Sequence, residues 1–375
     1  MIVRKQLDYA MARLFRGKAF IVFGPRQTGK TTFVEQLLAK VNKKTLYLNG
    51  DDTDTRENLA KPNAVQLGQM LEGYEVVFID EAQRINEVGV LIKIIVDRIK
   101  HVQVVATGSS AFELSGKINE PLTGRKYEIM LLPFSYAELV DHADFLTEER
   151  LFEQRLIYGS YPEVINDIQH AEEHLKLLAD SYLYKDLFAL EDVKKPLLFE
   201  KIIKALALQI GSEVNFSELA QLVKADQKTV EKYVDLLEKT FVIFSLPALS
   251  GNVRNEIKKG RKIYFYDNGI INAVTRNFNP ITSRNDIGAL FENYMIAERI
   301  KYLHQNQIDA KYFFWRTTQQ QEIDYIEKRG EELLAIEFKW NENKKVKIPI
   351  TFTQAYQNVQ TLLVSKLDRT LFLRS

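Results

Sequence analysis

Ten residues near the amino terminus, FGPRQTGKTT (Phe23 to Thr32), restrict the fold of this chain more than any other stretch. They fit G-x-x-x-x-G-K-[ST] through Gly24, Gly29, Lys30 and Thr31. They follow the apolar run AFIVF and open the helical pattern TTFVEQLLAKV, so a strand, a glycine loop and a helix must come in that order. Glycines let backbone N–H groups curl around phosphate oxygens, and a helix amino end adds positive potential. The expected phosphate-binding set is Gly24, Pro25, Arg26, Gln27, Thr28, Gly29, Lys30, Thr31 and Thr32. Lys30 is expected to bridge the β- and γ-phosphates, and Thr31 to hold Mg²⁺. The ligand expected is therefore ATP with Mg²⁺.

A second element supports the first. EVVFIDEAQ is an apolar run ending in Asp80 and Glu81. Asp80 is placed for the Mg²⁺ shell, and Glu81 is the candidate to polarise an attacking water. The run VQVVATGSS ends in Thr107, Ser109 and Ser110, where a polar side chain, Ser109 in particular, would sense the γ-phosphate. AFIVF, TLYLN, EVVFID, VQVVATG and YEIMLLP alternate with helical patterns up to Pro133. That alternation predicts an α/β architecture with a parallel sheet and crossover helices.

GPRQTGKTT, VVFIDEAQ, ATGSSAFELS, LTGRKYEIMLLPFSYAEL, YGSYPEV, DNGIINAV, GALFENYMIAERI and IEFK together resemble the AAA-type ATPases of bacteria and archaea that carry a C-terminal domain of unknown function. The resemblance covers nearly the whole chain. It implies that Arg125, in LTGRKYE, stabilises charge on a neighbouring subunit's γ-phosphate, with a structural salt bridge as the alternative. It also implies that YGSYPEV, with Gly159 and Pro162, belongs to a lid region; turn punctuation explains that stretch equally well. The expected domains are a P-loop AAA-type ATPase core over 1–135, a helical lid over 136–210, a winged helix-turn-helix over 211–275 and a restriction-endonuclease-like α/β domain over 284–375.

The winged-helix reading starts from NFSELAQLVKADQKTVEKYVDLLEKTFVIFSLP, which has two short amphipathic helices and then a strand. FVIFSLP and RKIYFYD bracket a stretch suited to a wing. Lys224, Lys228, Lys232, Arg254, Lys258, Lys259, Arg261 and Lys262 cluster here, as phosphate contacts on DNA require. Against that, Glu231, Asp235 and Glu238 share the second helix, and winged helices also dock proteins. Residues 276–286, with Asn, Pro and Ser, look like a linker.

QEIDYIEKRGEELLAIEFKW reads as a hairpin turning near Gly330. A turn there sets Asp324 against Glu337 across antiparallel strands, with Lys339 two residues along on the same face. Opposed carboxylates repel unless a cation joins them. The arrangement is the D…E-x-K pattern of metal-dependent phosphodiesterases, in which Mg²⁺ activates water and shields phosphate. The order of helix, strand, hairpin, helix and strand matches a restriction-endonuclease-like core. Glu292 matches a further acidic position of that fold, and Gln354 is a weaker match. The candidate metal ligands here are Glu292, Asp324 and Glu337, and the candidate catalytic set is Asp324, Glu337 and Lys339.

Composition narrows the rest. With 375 residues, 46% hydrophobic and 27% charged, the chain is globular and too long for one core. A net charge of +1 makes any nucleic-acid site a matter of local clustering. The absence of cysteine excludes disulfides, thiolate zinc sites and Cys nucleophiles. His170 and His174 read as a solvated helix face rather than a metal pair. No apolar run is long enough to cross a membrane, and a cytoplasmic protein is expected. The expected partners are ATP, then DNA, and either a second copy of the chain or another protein, with no membrane. Two functions stay open: an ATPase coupled to DNA engagement and metal-dependent cleavage, or a nucleotide-gated switch on a protein partner with an inactive nuclease-like domain.

Overall fold

The computed structural model describes residues 2–61, 63–108, 122–180, 195–250, 260–341 and 348–374. They form two compact units. One is Met1–Pro133 with Lys239–Phe241, and the other is Phe134–Glu238 with Val242–Ser375. The expected segments 136–210, 211–275 and 284–375 thus lie, almost entirely, in one unit.

The first unit holds strands β1 (Ala19–Phe23), β2 (Thr45–Asn49), β3 (Val76–Asp80), β4 (Gln103–Gly108) and β5 (Lys126–Met130), in the order β2-β3-β4-β1-β5. Every pairing is parallel. Parallel strands need crossover connections that cover both faces, which is why the central strands β1, β3 and β4 are apolar almost throughout, while the edge strands β2 and β5 carry polar residues. Ala19, Ile21, Val77, Ile79 and Val104 pack with the helix Val88–Arg98 in one core. Phe20, Val22, Val76, Phe78 and Val105 pack with the helix Lys30–Val41 in another. In such a sheet, ligands bind at the carboxyl ends of the strands, and that is where the glycine loop after β1 and the acids after β3 emerge.

The second unit carries two sheets. β6 (Glu213–Val214), β7 (Ile243–Pro247) and β8 (Arg261–Phe265) form one, ordered β6-β8-β7 and antiparallel. Helices Pro196–Leu208, Phe216–Val223 and Gln227–Lys239 accompany it. β9 (Lys311–Arg316), β10 (Glu322–Arg329), β11 (Glu332–Lys339) and β12 (Val359–Ser365) form the other, ordered β12-β11-β10-β9. β10 and β11 make the expected hairpin, from Arg329 opposite Glu332 to Tyr325 opposite Ile336. One further step of that register brings Asp324 opposite Glu337. The 19-residue helix Ile287–Gln305 is buried around most of its circumference, so it shows little apolar periodicity.

The stretch from 276 to 286 is packed in place rather than a loose tether. Arg284 is buried; it donates to Asp286 Oδ1 and Oδ2 at 2.8 and 2.7 Å and to Asn272 Oδ1 at 2.9 Å. YGSYPEV and DNGIINAV meet in a buried polar network. Asp267 accepts from the Ser160 N–H at 2.8 Å, the Ser160 hydroxyl at 3.2 Å and the Gly269 N–H at 2.8 Å. Burial pushes its carboxyl up, against the pull of Lys301 and these donors. Lys301 Nζ in turn donates to Ser160 Oγ and the Phe134 carbonyl at 3.1 Å, and to Glu298 at 2.7 Å. Gly159 has φ +67°, and a Cβ there would lie 1.8 Å from Asp267 Oδ1.

Gly159→Ala is therefore expected to cost about 3 kcal/mol or more, because it adds overlap with a buried carboxylate to left-handed strain. Gly17→Ala, at φ +72° with open space around it, is expected to cost about 1 kcal/mol. Thermal unfolding of the two variants compares them, and equal Tm values would contradict the steric account.

Candidate functional site

At the end of β1 the chain passes under the end of β5 so closely that a Cβ on Gly24 would sit 2.2 Å from the Leu131 carbonyl oxygen. Only glycine fits there, at φ +148°. The Pro25 carbonyl accepts from Thr28 Oγ1 at 2.8 Å and from Lys30 Nζ at 2.7 Å, and the Gly24 carbonyl accepts from Lys30 Nζ at 3.1 Å. Gly29 fills the N-cap position of the helix Lys30–Val41 and brings no side chain over its first amides. Arg4 closes the loop from behind, donating to the carbonyls of Thr28 and Leu132. Pattern reading of the loop alone did not reach Arg4, which lies 24 residues from its partner Thr28.

Lys30 is 6% exposed. Burial lowers its ammonium pKa to about 8; Glu81 and Asp80 pull it upward, while Arg26 and Arg4 push with the burial. The group thus sits as a poorly compensated cation over carbonyl dipoles, a state that phosphate oxygens would relieve.

Asp80 gathers the rest. Its Oδ2 accepts from Thr31 Oγ1 at 2.9 Å and Tyr47 OH at 3.3 Å. Its Oδ1 accepts from the Thr107 hydroxyl and from the Glu81 N–H at 3.2 Å. Thr107 Oγ1 also accepts from the Glu81 N–H at 3.1 Å. Thr107 is fully buried and holds the two acids, so its hydroxyl is engaged with protein groups. Ser109 and Ser110 lie outside the described residues. Glu81 is in the left-handed region, φ 46°, and its carboxylate accepts from Gln83. Arg125 precedes β5, and its carbonyl accepts from the Ala19 N–H at 2.9 Å. That is the amino end of the sheet, opposite the glycine loop. There its guanidinium pairs with Asp97 at 2.8 Å. The hydroxyl–carboxylate pair Thr31–Asp80, the buried ammonium and the uncapped helix end fit a nucleotide phosphate with Mg²⁺.

The second cluster lies in the other unit. β10 gives Asp324, β11 gives Glu337 and Lys339, and the helix Ile287–Gln305 gives Glu292. Pairing of β10 with β9 shifts between Ile323 and Ile326, so Asp324 sits at an irregularity. Its Oδ2 accepts from the Phe338 N–H at 3.0 Å. Lys339 Nζ lies 2.9 Å from Glu337 and 3.5 Å from Asp324. β8 contributes Lys262 and Tyr264. Lys262 Nζ contacts Glu322 and stands 3.6 Å from Glu292 and 3.9 Å from Asp324. Tyr264 donates to Glu292 Oε1 at 2.6 Å. Burial, then the charge of Asp324, pushes Glu292 and Glu337 each up to about 7. Burial works against the charge on Lys262 and Lys339, but their carboxylate neighbours outweigh it and raise both.

Among the described residues, no three His, Cys, Asp or Glu side chains are gathered so as to hold a metal ion. The three expected ligands, Glu292, Asp324 and Glu337, share two lysines instead. Gln354 is exposed on the helix Ile350–Ala355. Lys262 was expected among the surface cations of the wing; it is 1% exposed and turned into the carboxylates. Arg261 lies over the Phe216 ring and near Glu238, while Arg254, Lys258 and Lys259 lie outside the described residues. The exposed side of Gln227–Lys239 carries Lys228 and Lys232 beside Glu231 and Asp235, so it is mixed in charge. His174 Nε2 and His170 Nδ1 lie 3.0 and 2.9 Å from Asp167 Oδ2.

Residues 16–140 match the family model described as an AAA domain. Residues 149–280 and 287–373 each match a domain of unknown function, DUF8612 and DUF4143. An uncharacterized protein of Haemophilus influenzae is 25% identical over 251 residues, covering 63% of this chain and 59% of its own length. An uncharacterized protein of Mycobacterium tuberculosis is 26% identical over 321 residues, 84% of this chain and 69% of the relative. One of Methanocaldococcus jannaschii is 22% identical over 359 residues, 89% and 77%. Among solved structures, a Walker-type ATPase of Pyrococcus abyssi aligns with a TM-score of 0.48 at 14% identity, over 72% of this chain and 93% of that one. Among the described residues, no helix is long and apolar enough to cross a membrane. The glycine loop, the parallel sheet and the AAA match over residues 16–140 support a P-loop domain of the AAA type in the first unit.

The depressed value of Lys30 fixes the sign of a proton linkage. Near pH 9 the free ammonium is largely deprotonated, and bound phosphates raise its pKa, so ATP binding takes up a proton. Calorimetry in buffers of different ionisation enthalpy is expected to show uptake approaching one proton at about pH 9 and much less at about pH 7, where Lys30 is already charged. No uptake at the higher pH would contradict the buried, under-compensated state of Lys30.

Proposed function

We propose that this chain binds and hydrolyses ATP with Mg²⁺ at the glycine loop. The observation that carries the reading is the single constellation of Lys30 buried over its own loop and Thr31 joined to Asp80 at 2.9 Å, with Glu81 on the adjacent shoulder. Lys30 and the first amides of the helix Lys30–Val41 bind and orient the phosphates. Thr31 and Asp80 hold the metal, whose chemistry is to offset phosphate charge. Glu81 accepts the proton of the attacking water, and Thr107 and Gln83 fix its position. Arg125, at the far end of the sheet from this loop, acts on the nucleotide of a neighbouring copy.

We read β6 to β8 with the helices Pro196–Leu208, Phe216–Val223 and Gln227–Lys239 as a winged helix, and β9 to β12 with the helix Ile287–Gln305 as a restriction-endonuclease-like core. Of the two outputs, the mixed charge of Gln227–Lys239 and the inward turn of Lys262 favour the nucleotide-gated switch on a protein partner over DNA cleavage.

Steady-state ATPase assays and nucleotide binding test the first reading. Glu81→Gln is expected to keep ATP binding and lose at least about a hundredfold in turnover. Lys30→Ala is expected to lose binding. Full turnover in Glu81→Gln would remove Glu81 from the chemistry. Arg125→Ala with turnover equal to wild type would remove the role in trans. Supercoiled and linear DNA incubated with Mg²⁺ or Mn²⁺ tests the output: cleavage lost in Asp324→Ala would restore the nuclease reading.

A further inference from the structure

Lys262 and the carboxylates it contacts come from different parts of the chain. The acids Glu292, Glu322, Asp324 and Glu337 lie on the helix Ile287–Gln305, β10 and β11. Lys262 and Tyr264 lie on β8, two residues apart and so on one face of that strand. Lys262 Nζ reaches Glu322, Glu292 and Asp324 together, and its side chain is 1% exposed. On its other flank Asp324 meets Lys339 Nζ at 3.5 Å. Each oxygen of Asp324 thus faces a tethered ammonium, Oδ1 toward Lys262 and Oδ2 toward Lys339. Tyr264 takes up Oε1 of Glu292, the oxygen nearest Lys262.

We propose that Lys262 is a tethered counter-ion that closes the Glu292–Asp324–Glu337 cluster to divalent cations, so that a metal enters only when β8 withdraws this side chain. A divalent ion such as Mg²⁺ or Mn²⁺ needs several oxygen ligands at close to 2 Å, and here three of the carboxylates already turn an oxygen toward one ammonium. An ammonium offers three donors and no acceptor, so it satisfies the carboxylates without acting as a metal ligand. It also repels a second cation, and does so more strongly in a largely buried cluster than in bulk water. The closure is intramolecular, so it operates at any protein concentration. It stands apart from ATP hydrolysis at the glycine loop.

The test is Mn²⁺ binding to the nucleotide-free full chain, followed by the electron paramagnetic resonance of free Mn²⁺ and by Mn²⁺-dependent thermal shift. Lys262→Met is expected to bind Mn²⁺ at least tenfold more tightly than wild type. The gained site is expected to vanish in Lys262→Met/Asp324→Asn, and Lys262→Arg, which keeps the charge, is expected to behave as wild type. Equal affinity in wild type and Lys262→Met would overturn the proposal, and so would a folded Lys262→Met with no gained site. If Lys262→Met folds only with Mn²⁺ present, the metal has replaced the ammonium and the proposal stands. If it does not fold even then, Lys262→Met/Glu292→Gln, which removes one charge of each sign, decides. A gained Mn²⁺ site in that protein supports the closure. A folded protein without one, or failure to fold with Mn²⁺, overturns it.

Discussion

A buried ammonium must be compensated, or it gives up its proton, and this constraint separates the two lysines at the centre of the structure. Lys30 is turned onto carbonyl oxygens of its own loop, and two arginines push against it, so its pKa falls to about 8. Lys262 is turned onto carboxylates, and despite burial its pKa rises. Desolvation acts on both; the difference lies in what faces the charge. A cation short of negative charge is ready for an anionic ligand, whereas one surrounded by carboxylates is already satisfied. The electrostatics therefore mark the glycine loop as a site short of negative charge, whereas in the β8–β10 cluster Lys262 is compensated and the acids, with Glu292 and Glu337 pushed up to about 7, are in excess.

The glycine loop depends in turn on how tightly the parallel sheet fixes its carboxyl end. Asp80 leaves β3 beside β4, and four donors from the helix Lys30–Val41, β2, β4 and its own shoulder converge on its two oxygens. A carboxylate held this way has one available geometry. In the proposed reading, the metal-binding and water-orienting roles then fall to adjacent residues, Asp80 and Glu81, without competing. The left-handed backbone of Glu81 makes that division work, since it turns the second acid away from the strand direction of the first.

Local pattern made much of this legible. The five runs became β1 to β5; the signal is strongest in β1, β3 and β4, because a doubly covered central strand has no polar face to break it. The hairpin register about Gly330 followed from counting, because a two-strand turn leaves little freedom once its centre is placed. What stayed hidden needed long-range partners. Arg4 and Thr28, Asp267 and Ser160, and Lys262 and Glu322 pair across many residues of sequence. A lysine among other lysines looks exposed on charge alone. Lys262 broke that rule because the acids that neutralise it lie two strands later in the chain. At the strand end where a sensor was expected, Thr107 is engaged with Asp80 and the Glu81 N–H, while Ser109 lies outside the described residues.

The same pairing bears on where the chain divides. Composition suggests a break over 276–286, and the matched family models also part near there, at 280 and 287. Yet Arg284 anchors that stretch to Asn272, Asn293 of the helix Ile287–Gln305 bonds both backbone groups of Phe265, and one of the two ammoniums facing Asp324, the one that also faces Glu292, comes from β8. A carboxylate cluster this buried is unstable without its cation, because uncompensated charge in a dry site costs several kcal/mol. The segment from 287 onward therefore completes its own core in β9 to β12 but borrows part of its charge balance, Lys262, from the segment before it. Under the closure proposed for Lys262, a displacement of β8 is what would change the cations open to Asp324.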